Sequence, residues 1–227
     1  MSVTLLLVFV LMLAAWLISM LRYAQLNTAQ RYLSVYFGTV MITEFFATVS
    51  GRALGDNLYI YNIANFLQLP MLCLYFNYSI QSLRKRRIGI WLAGLEVVLF
   101  ALNLIYLEPI TIFNKNPLLL HSVLMVFMGL SYLLELMGKE QTRRTQDIPG
   151  FWISIILTFY WLTAFVNYSL YNYFEVRGSV FSKYWGPVVE SILIITYVAF
   201  ILVFLLLPRM KRAAGSPEKP ELSDVPQ

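Results

Sequence analysis

The chain has 227 residues, of which 59% are hydrophobic and 13% charged, with a formal net charge of +5 and a mean hydropathy of +0.67. Soluble domains carry roughly 25% charged residues because water must be met by polar groups, so this composition excludes an ordinary soluble domain and makes a bilayer the solvent. The basic residues sit in short segments between apolar runs, where they act as topology signals and not as a nucleic-acid surface.

A hydrocarbon core about 30 Å thick takes roughly 20 helical residues per crossing. Seven apolar runs of about that length follow one another. The first, 2–21, has no Lys or Arg before it, exceeds a signal-peptide core in length and lacks a small-residue cleavage site, so it is expected to be a retained helix. The second is 32–50. The third, 58–78, contains Pro70, which predicts a kink and a freed carbonyl, and Cys73, which has no second cysteine to pair with and reads as a small hydrophobe. The remaining runs are 88–106, 118–137, 151–171 and 185–207. Polar segments separate them sharply, among them Gly51 and Arg52 with Asp56 and Asn57, the basic cluster Arg84, Lys85, Arg86 and Arg87, and Asn114 to Asn116. Residues 208–227, rich in proline and charge, cannot bury a core and are predicted to form a disordered cytoplasmic tail. The domain reading is therefore a transmembrane unit at 1–207 and a tail at 208–227, and no internal repeat is evident.

Orientation follows from Lys and Arg, which are retained on the cytoplasmic side of the membrane. One alternating set of segments holds Arg22, Arg31, the cluster at 84–87, Lys139, Arg143, Arg144, Arg209, Lys211 and Arg212. The other holds only Arg52, Lys115, Arg177 and Lys183. Twelve against four, alternating through seven runs, predicts an all-α polytopic protein of the cell inner membrane with its N-terminus outside and its C-terminus cytoplasmic. The basic cluster at 84–87 is a topology determinant first, and a contact for a cytoplasmic partner second. The basic start of the tail attracts anionic membrane lipid on the same secondary reading.

Ionisable groups at membrane depth cost about 2.5 to 3.5 kcal/mol on insertion scales, so they face bundle interiors and mark function. Glu44, Glu96, His121 and Glu190 are such groups. Counting rise from the run ends puts Glu44 about 20 Å and Glu96 about 12 Å above the inner face, with His121 and Glu190 about 5 to 8 Å below the outer face. Glu135 lies at a cytoplasmic end and can snorkel towards Lys139. Neutral polar residues recur at helical spacing: Tyr61, Asn65, Gln68 and Tyr75 in the third run, Tyr160, Thr163, Asn167 and Tyr171 in the sixth, Asn103 two turns from Glu96, and Tyr197 two turns from Glu190. Asn62 adds to the outer level. Such groups also serve as interhelical hydrogen-bond glue, worth about 0.6 kcal/mol each. The alternative to that reading is an outward-opening cavity formed by Glu44, Asn65, Gln68, His121, Asn167 and Glu190, with Glu96 at its floor. Carboxylates there would hold a cationic or hydroxyl-bearing small molecule.

Enzyme chemistry finds no constellation. One His and one Cys do not supply the three or four ligands of a membrane zinc hydrolase. A Gly-x-Ser-x-Gly elbow, a phosphate loop and a CxxCH haem attachment are absent from the sequence. A retinal Schiff base is excluded because Lys183 precedes the last run. No cofactor or metal is expected.

The stretch Ile148-Pro149-Gly150-Phe151-Trp152-Ile153-Ser154 leading into Tyr160 and Asn167, together with Asn65-Phe66-Leu67-Gln68-Leu69-Pro70, resembles small seven-helix bacterial membrane proteins that are themselves similar to detached membrane halves of sensor kinases. The resemblance implies a sensory unit that signals through a protein partner at the cytoplasmic face. The expected function is thus a membrane sensor or ligand-binding subunit. Its alternatives are a small proton-coupled transporter using Glu96 and Pro70, and a structural or assembly subunit.

Overall fold

Each apolar run becomes a helix because lipid leaves the backbone no hydrogen-bond partners but its own. The computed structural model describes residues 3–138, 145–177 and 179–215, excepting the side chains of 171–184 and 211–215. Among the described residues there are helices and turns and no strands. The helices are α1 (Val3–Leu21), α2 (Thr28–Leu54), α3 (Leu58–Ser79), the short α4 (Gln81–Arg86), α5 (Ile88–Tyr106), α6 (Lys115–Met137), α7 (Pro149–Arg177) and α8 (Ser179–Gly215). Six of them, α1, α2, α5, α6, α7 and α8, are long and apolar enough to cross a membrane. The chain is a multi-pass membrane protein. At 22 residues α3 is also long, but Asn62, Asn65, Gln68 and Asn77 lower its hydropathy.

Helix boundaries depart from the apolar runs where local polar chemistry extends them. α2 starts at Thr28 because Asn27 and Gln30 form a capping box: Gln30 N donates to Asn27 Oδ1 at 2.9 Å and Asn27 N to Gln30 Oε1 at 3.1 Å. The same helix ends on Gly55, whose φ of 76° is left-handed. α8 runs through Pro208 to Gly215, so the expected tail begins as helix; the rest of it, 216–227, lies outside the described residues, as do Lys139 and the Tyr171 side chain.

Neighbouring helices pack in the order α1, α2, α3, α6, α7, α8 and back to α1, with α5 seated against α3 and α6. The core is a continuous apolar cluster in which Phe37 of α2 meets Phe200 and Phe204 of α8 edge-on. α5 approaches α3 closely because Gly89 has no side chain: a Cβ there would meet the Asn77 side chain and the Cys73 carbonyl, and Gly89 N donates to Asn77 Oδ1 at 3.1 Å. Along α5 the buried residues Gly89, Ala93, Glu96, Phe100 and Asn103 recur at helical spacing and form one stripe. Trp91, Leu95, Val98 and Leu102, on other faces of the same helix, are exposed, as a lipid-facing surface requires.

The link between α5 and α6 is folded down onto the bundle. Asn62 of α3 donates to the carbonyls of Ile110 and Ile112 at 2.7 Å each, and Asn103 Nδ2 donates to Glu108 Oε2 at 3.0 Å and Asn114 Oδ1 at 2.8 Å. Asn62 and Asn103 are therefore structural glue, and neither belongs to a ligand face. At the opposite end, Glu135 of α6 reaches α4, accepting from Gln81 N at 3.1 Å and Ser82 Oγ at 3.0 Å. This carboxylate anchors the start of the basic segment, a role that the snorkelling expectation overlooked.

Candidate functional site

A cavity of about 580 Å³ lies between six helices, α1, α2, α3, α6, α7 and α8, with the link before α6 contributing Phe113. Its walls are aromatic: Tyr36, Tyr61, Tyr160, Trp161, Tyr168 and Tyr197 all line it. Among the described residues Glu44 is the only acidic one on the wall, and it is half-buried; its Oε2 accepts from Tyr61 OH at 3.0 Å. Asn65 and Gln68, one and two turns along α3 from Tyr61, share the cavity, and Gln68 Nε2 donates to Thr43 Oγ1 at 2.9 Å. Gly51, exposed Arg52 and Asn57, at the α2–α3 link, form the rim. Of the seven residues expected in one cavity, Glu44, Asn65 and Gln68 are thus brought together.

The other four are placed elsewhere. Asn167 accepts from Trp185 Nε1 at 2.7 Å, tying α7 to α8. Glu190 is half-buried on α8 outside the cavity lining, and no hydrogen bond or ion pair is formed by it among the described residues. Thr163, from the same sixth-run stripe, turns back to the Phe159 carbonyl at 3.0 Å. Glu96 and His121 form a separate buried pair, with His121 Nδ1 2.5 Å from Glu96 Oε1.

That pair was expected at two different depths, and its contact has a physical cause. α6 begins at Lys115, ahead of its apolar run, so His121 lies about 9 Å into the helix and not about 5 Å, which brings it closer to the level of Glu96.

The pair has a third member that sequence reasoning missed. Cys73 of α3, fully buried, donates its thiol to Glu96 Oε2 at 3.1 Å. Ligand atoms of Cys73, Glu96 and His121 all lie within 4.8 Å of one another. Counting only His and Cys left out the carboxylate that joins them. The His121 ring packs edge-on with Trp161, centroids 4.5 Å apart, and Trp161 lines the aromatic cavity. Leu69 and Leu118, also on the cavity wall, precede Cys73 and His121 by about one helical turn. The Cys73–Glu96–His121 cluster therefore lies directly beneath the cavity floor.

No protein-family model, curated protein or solved structure matches this chain. Its function is read from its own residues.

Proposed function

We propose that the protein is a seven-crossing membrane sensor or ligand-binding subunit that takes an organic monocation into the Glu44 cavity from the outside of the inner membrane. The observation that carries this reading is the single carboxylate set among aromatic rings. A half-buried carboxylate walled largely by rings gains from a counter-charge beside it, and tyrosine and tryptophan faces attract cations by about 0.5 to 2 kcal/mol. An alkylated ammonium satisfies both, since it offers positive charge to Glu44 and apolar surface to the rings, and a few hundred Å³ is the volume such ligands need. Asn65 and Gln68 supply the few polar contacts that orient it.

In this reading α3 crosses the membrane as the third of seven spans, with Arg52 outside and Arg84 inside. The same helix carries Tyr61, Asn65 and Gln68 at one end and leads through Ile80 into basic α4 at the other. A ligand that draws α3 towards Glu44 pulls on α4 against its Glu135 anchor, and a cytoplasmic signalling partner reads that shift. The transporter alternative asks for Glu96 on the ligand path, whereas the wall of the cavity carries Glu44; the binding reading is favoured for that reason.

Titration of the purified protein in nanodiscs with benzyltrimethylammonium, followed by calorimetry, tests the site. Saturable binding that weakens about tenfold in Glu44→Gln, equivalent to about 1.4 kcal/mol, is expected. Equal affinity for the uncharged analogue neopentylbenzene, or no effect of Glu44→Gln, would contradict it and favour a structural subunit.

A further inference from the structure

We propose that Cys73, Glu96 and His121 form a binding site for one divalent transition-metal ion of the zinc type. The inference does not rest on the cavity reading.

The donors come from three different helices, α3, α5 and α6, and each is buried: Cys73 at 0%, His121 at 1% and Glu96 at 8% exposure. Thiolate, carboxylate and imidazole are the donor types of zinc, at about 2.3 Å for sulfur and about 2.0 to 2.2 Å for nitrogen and oxygen. Tetrahedral bonds of that length set neighbouring donors about 3.3 to 3.6 Å apart. Sγ and Oε2 are 3.1 Å apart and Nδ1 and Oε1 2.5 Å, and all three ligand atoms lie within 4.8 Å of one another, so shifts of about 1 Å bring the donors to tetrahedral spacing.

Charge selects the class. A thiolate and a carboxylate with a neutral imidazole carry two negative charges, and a divalent ion cancels them, leaving a buried site with no net charge to desolvate. On binding, the Cys73 S–H bond gives up its proton to solvent and the proton held between His121 Nδ1 and Glu96 Oε1 passes to His121 Nε2, so that sulfur, carboxylate oxygen and imidazole nitrogen Nδ1 each donate a lone pair to the metal. No electron is transferred.

Two features are poorly explained by hydrogen bonding alone. Cys73 is a weak donor to Glu96, where a serine hydroxyl would bond better. His121 Nε2 is buried without a hydrogen-bond partner among the described residues, a cost that an Asn or Gln in contact with Glu96 need not carry. A metal site requires the thiol and the imidazole as such.

Cys73 is the only cysteine and His121 the only histidine of the chain, so a spectroscopic signal from either is unambiguous in protein freed of affinity-tag histidines. Chelator-stripped full-length protein in nanodiscs is titrated with Co²⁺. The expected result is one cobalt per chain, with a near-ultraviolet thiolate-to-cobalt charge-transfer band that Zn²⁺ abolishes. Cys73→Ser loses the band, Glu96→Gln and His121→Asn bind at least about tenfold more weakly, and Glu44→Gln retains the site. Absence of the band in stripped wild-type protein, or cobalt binding of equal strength in Cys73→Ser, overturns the proposal without reference to whether any variant folds.

Discussion

Glu96 and His121 are each tolerable in the interior only because the other is there. Removing His121 leaves the carboxyl group of Glu96 buried with the Cys73 thiol as its remaining donor, and breaking a buried pair in this way costs about 3 to 5 kcal/mol, whereas replacing both members with apolar residues is often close to neutral. His121→Leu is therefore expected to destabilise metal-stripped protein more than the double variant Glu96→Leu/His121→Leu, as measured by SDS-driven unfolding in mixed micelles. A single variant no less stable than the double would show that the two groups are independent. Glu44 behaves differently. It faces the cavity with Tyr61 as its one donor among the described residues, so Glu44→Gln is expected to leave unfolding nearly unchanged while weakening cation binding. The sequence identified Glu44, Glu96 and His121 as unusual because any ionisable group in an apolar run is. It was silent on which of them meet, because a partner on another helix depends on the relative height of α5 and α6. Cys73 was passed over for the same reason: in its own run it is one small apolar residue among many.

Helices are the scale at which hydropathy speaks most clearly. α5 spans Ile88–Tyr106, the same residues as its apolar run, and α3 begins at Leu58 in both. The runs end early elsewhere because helices continue into the interface, where polar residues no longer interrupt them. Asn27 and Gln30 are a legible capping signature in the sequence, but hydropathy alone does not register it. Packing between helices is less legible. Gly89 looks like any glycine near a helix start, yet it permits the α3–α5 contact on which the Cys73–Glu96 hydrogen bond depends. Gly89→Ala is expected to destabilise the protein by about 1 to 3 kcal/mol through overpacking against Asn77 and the Cys73 carbonyl. Thermal unfolding in detergent checks this, and an unchanged transition would mean that the two helices are not held so closely. Asn103→Ala removes the donor that meets Glu108 and Asn114, so backbone amides of the α5–α6 link should exchange faster with deuterium while those of α7 do not. The crossing by α3 is testable with Arg52→Cys and Arg84→Cys in a Cys73→Ser background. A membrane-impermeant maleimide should label the first in intact cells and the second only after permeabilisation.

Across the molecule, six helices surround one aromatic cavity, and a buried cluster of thiol, carboxylate and imidazole lies under its floor. Trp161 touches both, which gives a packed route by which a ligand above and a metal below can influence one another. At the far end of α3 the basic segment α4 is clamped by Glu135, and on the proposed function loosening that clamp with Glu135→Gln is expected to alter the output to a cytoplasmic partner while leaving cation binding, measured by calorimetry, intact. On the proposed orientation, with Lys and Arg retained on the cytoplasmic side, the rim at Arg52 faces outward. The proposed function requires that cavity to open outward with Glu44 as its anionic centre. Binding of a membrane-impermeant quaternary-ammonium probe to sealed right-side-out and inverted vesicles tests it most directly. Saturable binding to right-side-out vesicles only, lost in Glu44→Gln and kept in Glu190→Gln, is the expected result. Binding to inverted vesicles only, or binding indifferent to Glu44, would contradict it.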